Sequence, residues 1–201
     1  MALKKEKIIE EALELLNENG LEGVTLRKLA KRLNVYASAL YWHVKNKEAL
    51  VNEMAETLLQ KEFPEIKQQK KNESWQDWLI RLLNKLRNAL LSYADGARVV
   101  AGSQLSFMMA KLTEEAISVL VNANISLERS RLIVLTATRY TFGFVTEEQI
   151  SPSSEELKSV DTEKFKKQFP LMMKGAEEYL SSGKTMDDIY TDGLKVIVGI
   201  K

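Results

Sequence analysis

The stretch TLRKLAKRLNVYASALYWHVKNK, residues 25–47, contains two short helical patterns separated by a turn. Thr25 is placed to cap a first helix. The apolar residues of that helix recur at i, i+3, i+4 and i+7, namely Leu26, Leu29, Ala30 and Leu33. Asn34 interrupts the pattern, since Asn tolerates the left-handed backbone that a tight turn requires. A second helix is predicted over about residues 37–43, and two short helices joined by such a turn form a helix-turn-helix unit, whose second helix enters the major groove of DNA.

The same stretch is strongly basic. From residue 26 to residue 47 it holds six basic residues and no acidic one: Arg27, Lys28, Lys31, Arg32, Lys45 and Lys47. Such a surface suits contact with phosphates, because each Lys or Arg near the DNA backbone releases condensed counterions. Charge and spacing leave one alternative open, a helical hairpin whose basic face is only solvated.

Two segments carry a family resemblance: LRKLAKRL at residues 26–33 and LYWHVKNKEAL at residues 40–50. They resemble the DNA-binding domain of the TetR family, and specifically its tetracycline-repressor branch. The match is unbroken over the eight residues LYWHVKNK. The resemblance implies a helix-turn-helix domain over residues 1–46, a connecting helix over residues 47–63, and a ligand-binding and dimerisation domain over residues 64–201.

Composition describes an ordinary folded protein rather than a polycation. Hydrophobic residues make up 45% of the 201, enough for a sizeable core, and the net charge is only +1. Basicity is therefore local, which favours a chain with two roles over a general nucleic-acid coat. The absence of cysteine excludes disulfides and thiolate metal sites.

The sequence shows neither a secretion signal nor a membrane span. The amino terminus, MALKKEKIIEEALELL, carries Lys and Glu throughout instead of an apolar signal segment. No apolar run approaches the roughly 18 residues that a membrane helix requires. We therefore expect a cytoplasmic protein with no membrane partner.

Helical periodicity continues through the rest of the sequence, and no stretch alternates in the way that a strand does. Helices are predicted over about residues 4–19, 47–63, 75–93, 97–101, 106–122, 127–149, 170–182 and 186–200. Gly20 is placed to end the first of them. Four polar residues are placed to cap later helices: Asn46, Ser74, Ser126 and Thr185. The polar residues 151–161 are expected to form a loop, and the fold class is all-α.

The helix predicted at residues 127–149 is apolar on nearly every side. Such a helix is buried on more than one side, against a domain core and, most simply, against a second subunit. Three further segments resemble the tetracycline-repressor branch in order and spacing: SWQ at residues 74–76, ALL-x-Y-x-DGA at residues 89–97 and T-x-G-x-V-x-x-EQ at residues 141–149. The resemblance thus covers nearly the whole chain. It implies a homodimer joined through the family's eighth and tenth helices in a four-helix bundle.

The resemblance also assigns residues to DNA contact. In the family, the recognition helix and the residue at Arg27 face the bases, while those at Tyr41 and Lys47 reach phosphates. The candidate DNA-binding residues are Thr25, Arg27, Ala37, Ser38, Ala39, Tyr41, Trp42, His43 and Lys47. His43 is the only histidine and lacks partners for a metal or catalytic role, so DNA contact is preferred. Trp42 fits a core position and a contact with the DNA backbone equally well.

The opening of the recognition helix departs from the branch. Where the tetracycline repressor has Gln, Pro and Thr, this chain has Ala37, Ser38 and Ala39. Small side chains can meet a thymine methyl or offer one hydroxyl, but they cannot bond an adenine bidentately. We therefore expect an operator different from that of the tetracycline repressor.

The ligand site implied by the resemblance departs further. The branch holds a magnesium–drug chelate, and the positions aligned with its ligands are here Phe63, Leu82, Leu86, Val100, Ser103, Ala116 and Glu147. Phe63 and Val100 replace the two histidines, and only Glu147 is kept. A lone carboxylate is weak support for a hard-ion site, which needs several oxygen or nitrogen ligands. We expect no metal and no cofactor.

The sequence predicts an apolar ligand cavity instead. Its candidate lining residues are Phe63, Trp78, Leu82, Leu86, Val100, Ser103, Phe107 and Met108, with Thr136 and Arg139 as polar anchors. Arg139 lies within a very apolar helix and needs a partner there. That partner is a ligand carboxylate or an internal acid such as Glu115 or Glu147.

Together these expectations describe a ligand-responsive transcription regulator. We expect a repressor that binds a palindromic operator as a homodimer and is released by a small, largely apolar effector other than magnesium–tetracycline. One alternative is a constitutive DNA-binding dimer that has no small-molecule effector. The other is a small-molecule enzyme built on a helical bundle. The enzyme is disfavoured because the chain has no cysteine, one histidine and no paired metal ligands on a helix.

Overall fold

The computed structural model describes residues 3–103, 106–150 and 162–200. Over these residues the chain forms helices and no strand, which confirms the all-α prediction. The helices are α1 (Lys5–Gly23), α2 (Leu26–Arg32), α3 (Ala37–Tyr41), α4 (Lys47–Glu62), α5 (Trp75–Leu91), α6 (Gly96–Gly102), α7 (Phe107–Asn122), α8 (Leu127–Gln149), α9 (Thr162–Gln168), α10 (Pro170–Ser181) and α11 (Met186–Val198). None of the helices in these ranges is both long and apolar enough to cross a lipid bilayer.

Side-chain caps determine where several helices begin. The side chains of the predicted caps each accept a hydrogen bond from the backbone amide three residues further on, at Thr25, Asn46, Ser74, Ser126 and Thr185. At Thr185 the contact is reciprocal, since Asp188 accepts a hydrogen bond from the Thr185 amide at 2.8 Å. These bonds satisfy amides that the first turn of a helix leaves without a partner.

Two boundaries near the amino terminus differ from the sequence prediction. Gly20 has the left-handed φ expected at a helix end, 64°, yet a further helical turn follows to Gly23. α1 is therefore kinked at Gly20 rather than ended there. α3 ends at Tyr41 because the amides of His43 and Val44 both turn back to the carbonyl of Leu40, at 2.9 and 2.8 Å. This arrangement tightens the last turn.

One helix is missing from the sequence prediction. α9 contains a single apolar residue, Phe165, and one residue sets no periodicity. The loop predicted at residues 151–161 lies outside the described residues.

The first four helices share an apolar core. Its fully buried large side chains include Ile8, Leu13, Leu16, Leu29, Leu40, Leu50 and Met54. Burying each of them contributes about 1.5–3 kcal/mol before the entropy of folding is counted. The core therefore fixes the short helices α2 and α3, which are too short to be stable alone.

α4 joins the N-terminal unit, which is formed by α1, α2 and α3 together with the first turns of α4, to the rest of the chain. It packs most extensively on α6 and also contacts α1, α5 and α7. The carboxylate of Glu56, on α4, accepts hydrogen bonds from the Ser106 hydroxyl and the Met108 amide, both at 3.0 Å. A negative charge at the start of α7 is stabilised by the dipole of that helix. Moving α4 away from α7 would therefore break favourable contacts.

The turn between α5 and α6 touches the end of α1. Asp95, in this turn, has a left-handed φ of 55°, and its carboxylate accepts a hydrogen bond from the Leu21 amide at 2.7 Å. The Ala94 amide donates to the side-chain oxygen of Asn17 at 3.0 Å. This turn therefore adds a second connection, besides α4, between the end of α1 and the rest of the chain.

A buried polar cluster joins α5, α8 and α11. Arg87, on α5, is only 3% exposed. Its guanidinium donates to Glu148 on α8 at 2.7 and 2.5 Å and to Asp187 on α11 at 2.7 Å. It also lies 5.0 Å from the ring of Tyr190, whose hydroxyl is 2.7 Å from that of Thr141. Burial raises the pKa of Tyr190.

Candidate nucleic-acid interface and ligand cavity

α3 presents one side to solvent because its other side is anchored in the core. Leu40 is fully buried and Val44 is 2% exposed. The exposed residues of and just after α3 are Ser38, Tyr41, Trp42 and His43. Ala37 and Ala39 are half-buried. Trp42 is 90% exposed, so the core position that its sequence allowed is excluded.

Tyr36 joins this surface, although the sequence pattern did not select it. It precedes α3 and is 86% exposed, next to the small side chains of Ala37 and Ser38. With Tyr41 and Trp42, it gives α3 a group of exposed aromatic side chains. The signal in the sequence is an aromatic residue directly before the small residues that open the predicted recognition helix.

The cations of residues 26–47 fall into two groups. The side chains of Arg27, Lys28, Lys31 and Lys45 are exposed and form no ion pair with the residues described. Arg32 instead donates to Glu18 at 2.6 Å and to Glu11 at 2.7 Å, both on α1, and these two carboxylates raise its pKa. Arg32 therefore holds α2 to α1 through two ion pairs. The expectation that it faces phosphates with the other cations of this stretch is corrected.

Thr25 and Lys47 each have a structural contact. The Thr25 hydroxyl accepts a hydrogen bond from the Lys28 amide at 3.2 Å and so caps α2. The Lys47 ammonium donates to the carbonyl of Leu21 at 3.1 Å and is otherwise exposed. An ammonium has three donors, so two remain for a phosphate.

An apolar cavity lies between α5, α7 and α8. Its walls are Leu79, Leu82, Leu83, Leu86, Met109, Leu112, Thr113, Ala116, Val134 and Thr138. Its volume is about 10 Å³, at the lower limit for a single water molecule. A ligand can occupy this position only if the surrounding side chains or helices move apart.

Two residues predicted to line the cavity lie elsewhere. Trp78 is fully buried in the core, and its indole N–H donates to the carbonyl of Lys67 at 3.0 Å. Phe107, at the start of α7, is 78% exposed. Helical spacing identifies residues that share a face, but it does not say whether that face meets a cavity, the core or solvent.

Thr136 and Arg139 point away from the cavity, which corrects their assignment as polar anchors. α8 turns another set of residues inward: Ser130, Ile133, Val134, Ala137, Thr141 and Val145. Thr136 and Arg139 lie on the exposed side of the helix. Arg139 forms no ion pair with any described residue, so neither Glu115 nor Glu147 is its partner.

The other predicted lining residues border two further depressions. Val100 and Ser103 lie in an open groove of about 520 Å³ at the end of α6. Phe63 lies with Leu82 in a pocket of about 180 Å³ between the end of α4 and α5. Met108 is buried at the start of α7. The predicted ligand residues are therefore distributed over three neighbouring spaces rather than one.

Glu147 belongs to no cluster of metal-ligating side chains among the described residues. It is exposed near the end of α8. Within residues 3–103, 106–150 and 162–200, no three His, Cys, Asp or Glu side chains come together as a metal ion would require.

Comparison with known proteins identifies the family. Residues 8–54 match the family described as bacterial regulatory proteins, tetR family, and residues 68–201 match the tetracyclin repressor-like C-terminal domain. The second match alone covers more than half of the chain. The chain belongs to the TetR family. The resemblance seen in LYWHVKNK is thereby confirmed.

Similar TetR family proteins cover from about three quarters to almost the whole of the chain. The tetracycline repressor protein class C of Escherichia coli is 32% identical over 198 residues, which are 98% of this chain and 90% of that protein. TetR-Q116A from Acinetobacter baumannii AYE, solved in complex with minocycline, is 31% identical with a TM-score of 0.73, over 98% of this chain and 95% of that one. BioQ, solved with its double-stranded DNA operator, is 29% identical with a TM-score of 0.65, over 73% of this chain and 86% of that one.

Membership of the TetR family gives the chain its general role. It is a DNA-binding transcription regulator with a ligand-binding C-terminal domain. Proteins of the family are transcription regulators rather than enzymes, which disfavours the enzyme alternative.

Proposed function

We propose that this chain is a cytoplasmic repressor that binds a palindromic operator as a homodimer and leaves it when a small, largely apolar effector binds. The effector is not magnesium–tetracycline. The observation that carries the proposal is the exposed side of α3, where Tyr41, Trp42 and His43 face solvent while Leu40 fixes the helix in the core. A short helix anchored in this way can enter the major groove without rearranging.

The proposed DNA contacts are of two kinds: phosphate contacts, which position the protein on the duplex, and base contacts, which recognise its sequence. Tyr41 and Lys47 reach phosphates, which fix the register of the protein on the duplex. Arg27, which is exposed and forms no ion pair with the described residues, reads a guanine bidentately. Ser38 offers one hydroxyl, and the alanines on either side of it can meet thymine methyl groups.

The proposed release runs from the ligand cavity to α4. Because the cavity holds only about 10 Å³, a ligand that enters between α5 and α7 must move side chains or helices apart, and the proposed release assigns this movement to one of the two helices. Glu56 ties the start of α7 to α4, and α4 packs on α1. A shift of α4 changes the distance between the two recognition helices, which a palindromic site requires at about 34–36 Å. The effector needs only to prefer the shifted state.

The DNA contacts predict different results for two substitutions. Lys47→Ala is expected to weaken binding to every sequence and to flatten the salt dependence of log K by about one unit per half-site. Arg27→Ala is expected to relax base preference at one position per half-site, by about 1–3 kcal/mol. Fluorescence anisotropy over a salt series, on an operator found by selection from random DNA, measures both effects.

Lys111→Ala, an exposed position on α7, is the control for a lost positive charge. A melting curve of Lys47→Ala shows whether the lost bond to Leu21 alters the fold. Identical salt slopes and identical base preferences for the two variants would contradict the assignment of Lys47 to a phosphate and Arg27 to a base.

Unpaired surface on two helices supports the homodimer. One exposed stripe of α8 recurs at i, i+4, i+7 and i+11, namely Leu132, Thr136, Arg139 and Gly143. On α11, Val196 is 79% exposed and Met186 is 49% exposed. Exposed large apolar side chains such as Leu132, Val196 and Met186, set among small and polar residues, are typical of subunit interfaces. α8 and α11 pack on each other, so two subunits can build a four-helix bundle from them.

The protein is expected to be a dimer at micromolar concentration, and Gly143→Arg is expected to make it monomeric. A Cβ atom at Gly143 meets nothing within 4 Å in the single chain, so the new side chain clashes only with a partner. Gly175→Arg, at an equally open helical glycine of α10, is the matched control. Light scattering measures the mass. A wild-type mass of 22.9 kDa, that of one chain, would contradict the dimer.

A constitutive DNA-binding dimer is the second candidate, favoured by the small volume of the apolar cavity. Native mass spectrometry of freshly purified protein distinguishes the constitutive dimer from the effector-responsive repressor. A small molecule that travels with the protein and whose addition releases operator DNA supports the effector. An operator complex that no member of a broad compound library releases supports the constitutive dimer.

A further inference from the structure

A pocket of about 180 Å³ lies between the end of α4 and the middle of α5. Its apolar wall is formed by Phe63 and Leu82, which are 3% and 9% exposed. The other residues that line it are charged: Glu65, Lys67, Arg81 and Lys85. The pocket is therefore apolar at the back and ionic at the rim, the arrangement that binds an amphipathic molecule.

The charges at the rim are not balanced. Arg81 forms an ion pair with Glu73, to which two of its guanidinium nitrogens donate hydrogen bonds, both at 2.8 Å. That contact lowers the pKa of Glu73 to about 2, so this pair stays ionised and neutral overall. Lys67 and Lys85 form no ion pair with any residue that the structure describes, and Glu65 is exposed. Positive charge at the rim therefore exceeds negative charge.

Lys85 is the cation best placed to hold a ligand. It is half-buried, and its ammonium lies 4.7 Å from the centre of the Phe63 ring. The ring face attracts the ammonium and holds it over the apolar wall. An ammonium that has lost part of its water and has no carboxylate partner is stabilised when an anion arrives.

The pocket also borders the small apolar cavity between α5, α7 and α8. Leu82 is part of the wall of both spaces, so they adjoin at this residue. The cavity adds the apolar surfaces of Leu79, Leu86 and Ala116 next to this shared residue. The apolar part of a ligand can extend in that direction while its charged group stays at Lys85.

We propose that this pocket binds an amphipathic organic anion, whose acidic group pairs with Lys85 and whose apolar body packs on Phe63 and Leu82. This assignment rests on the proposed function in one respect, that the anion is the effector. It gives the acidic group of the effector a partner other than Arg139, which lies on the exposed side of α8.

Two fluorescent probes with the same aromatic rings test the assignment on the full-length protein. Anilinonaphthalene sulfonate carries a negative charge, and phenylnaphthylamine carries none. Lys85→Met removes the charge and keeps the length of the side chain, Lys85→Arg keeps the charge, and Lys111→Met is the control. Lys85→Met is expected to weaken the sulfonate about tenfold or more, as the loss of a charge-assisted hydrogen bond predicts. Lys85→Arg should restore most of the affinity.

The neutral probe should bind equally well to the wild type and to Lys85→Met. Sulfonate affinity that Lys85→Met leaves within a factor of two, or a loss shared equally by the neutral probe or by Lys111→Met, would overturn the assignment. Operator binding by each variant is measured in parallel. A wild type that binds the sulfonate through Lys85 but binds no operator would refute the proposed function and leave the anion pocket standing.

Discussion

Replacing Arg87 with methionine is expected to lower the free energy of unfolding by about 3–5 kcal/mol, the usual effect of removing one partner of a buried ion pair. Methionine nearly fills the space but leaves the Glu148 carboxylate, whose side chain is only 11% exposed, without its two hydrogen bonds. The stacking on Tyr190 is lost as well. α5, α8 and α11 should then separate more easily. Urea denaturation at a fixed protein concentration measures the effect.

Arg98→Met is the matched control for the Arg87 prediction. Arg98 also contacts two carboxylates, Glu22 at 2.9 Å and Asp95 at 3.2 Å, but its side chain is 44% exposed. Water replaces those contacts, so the expected loss is below about 1 kcal/mol. Adding Glu148→Gln to Arg87→Met should recover part of the stability, because the unpaired charge is removed. Equal losses for the two arginine variants would show that burial does not decide the effect.

Magnesium–tetracycline is expected to bind with a dissociation constant of about 1 mM or weaker. The chelate is hydrophilic, whereas Phe63, Leu82, Val100 and Ala116 offer it no hydrogen bond through their side chains. Each polar group left unpaired costs about 1–3 kcal/mol. Since each 1.4 kcal/mol is about a tenfold change in affinity, several such losses remove any tight binding.

Titration calorimetry in the presence of magnesium measures this affinity directly. The drug with the metal chelated away is the control for a contribution from the metal. A micromolar or tighter dissociation constant would contradict the account of the ligand site.

Sequence patterns were enough to predict the bounds of helices whose caps and apolar spacing lie within the helix itself. Ser126 and the helical spacing of the apolar residues after it predict the bounds of α8, because a cap and helical spacing act within a few residues. The direction in which α8 faces is not local. Apolar residues are spread around much of this helix, so its spacing could not show that Ala137 points inward and Arg139 outward. On α5 the difficulty is a single polar residue. Arg87 interrupts an apolar stripe, and its partner Glu148 could not be predicted because it lies 61 residues away in the sequence.

The candidate DNA surface shows the same distinction. Leu40 and Val44 could be assigned to the core from the helix-turn-helix pattern, because that motif is contained in one short stretch. The role of Arg32 depends on Glu11 and Glu18, which lie on another helix. The charge of a residue can be read from the sequence, but the neutralisation of that charge depends on the tertiary structure.

In the proposed release, the Glu56 contact would also carry the effect of operator binding back to the effector. Its carboxylate joins α4, which packs on α1, to the first turn of α7, which borders the ligand cavity. If effector binding lowers operator affinity by some factor through this contact, operator binding must lower effector affinity by the same factor. A promoter with a tighter operator would then need more effector before it is released. The threshold at which each regulated gene responds would depend on its own operator sequence as well as on the protein.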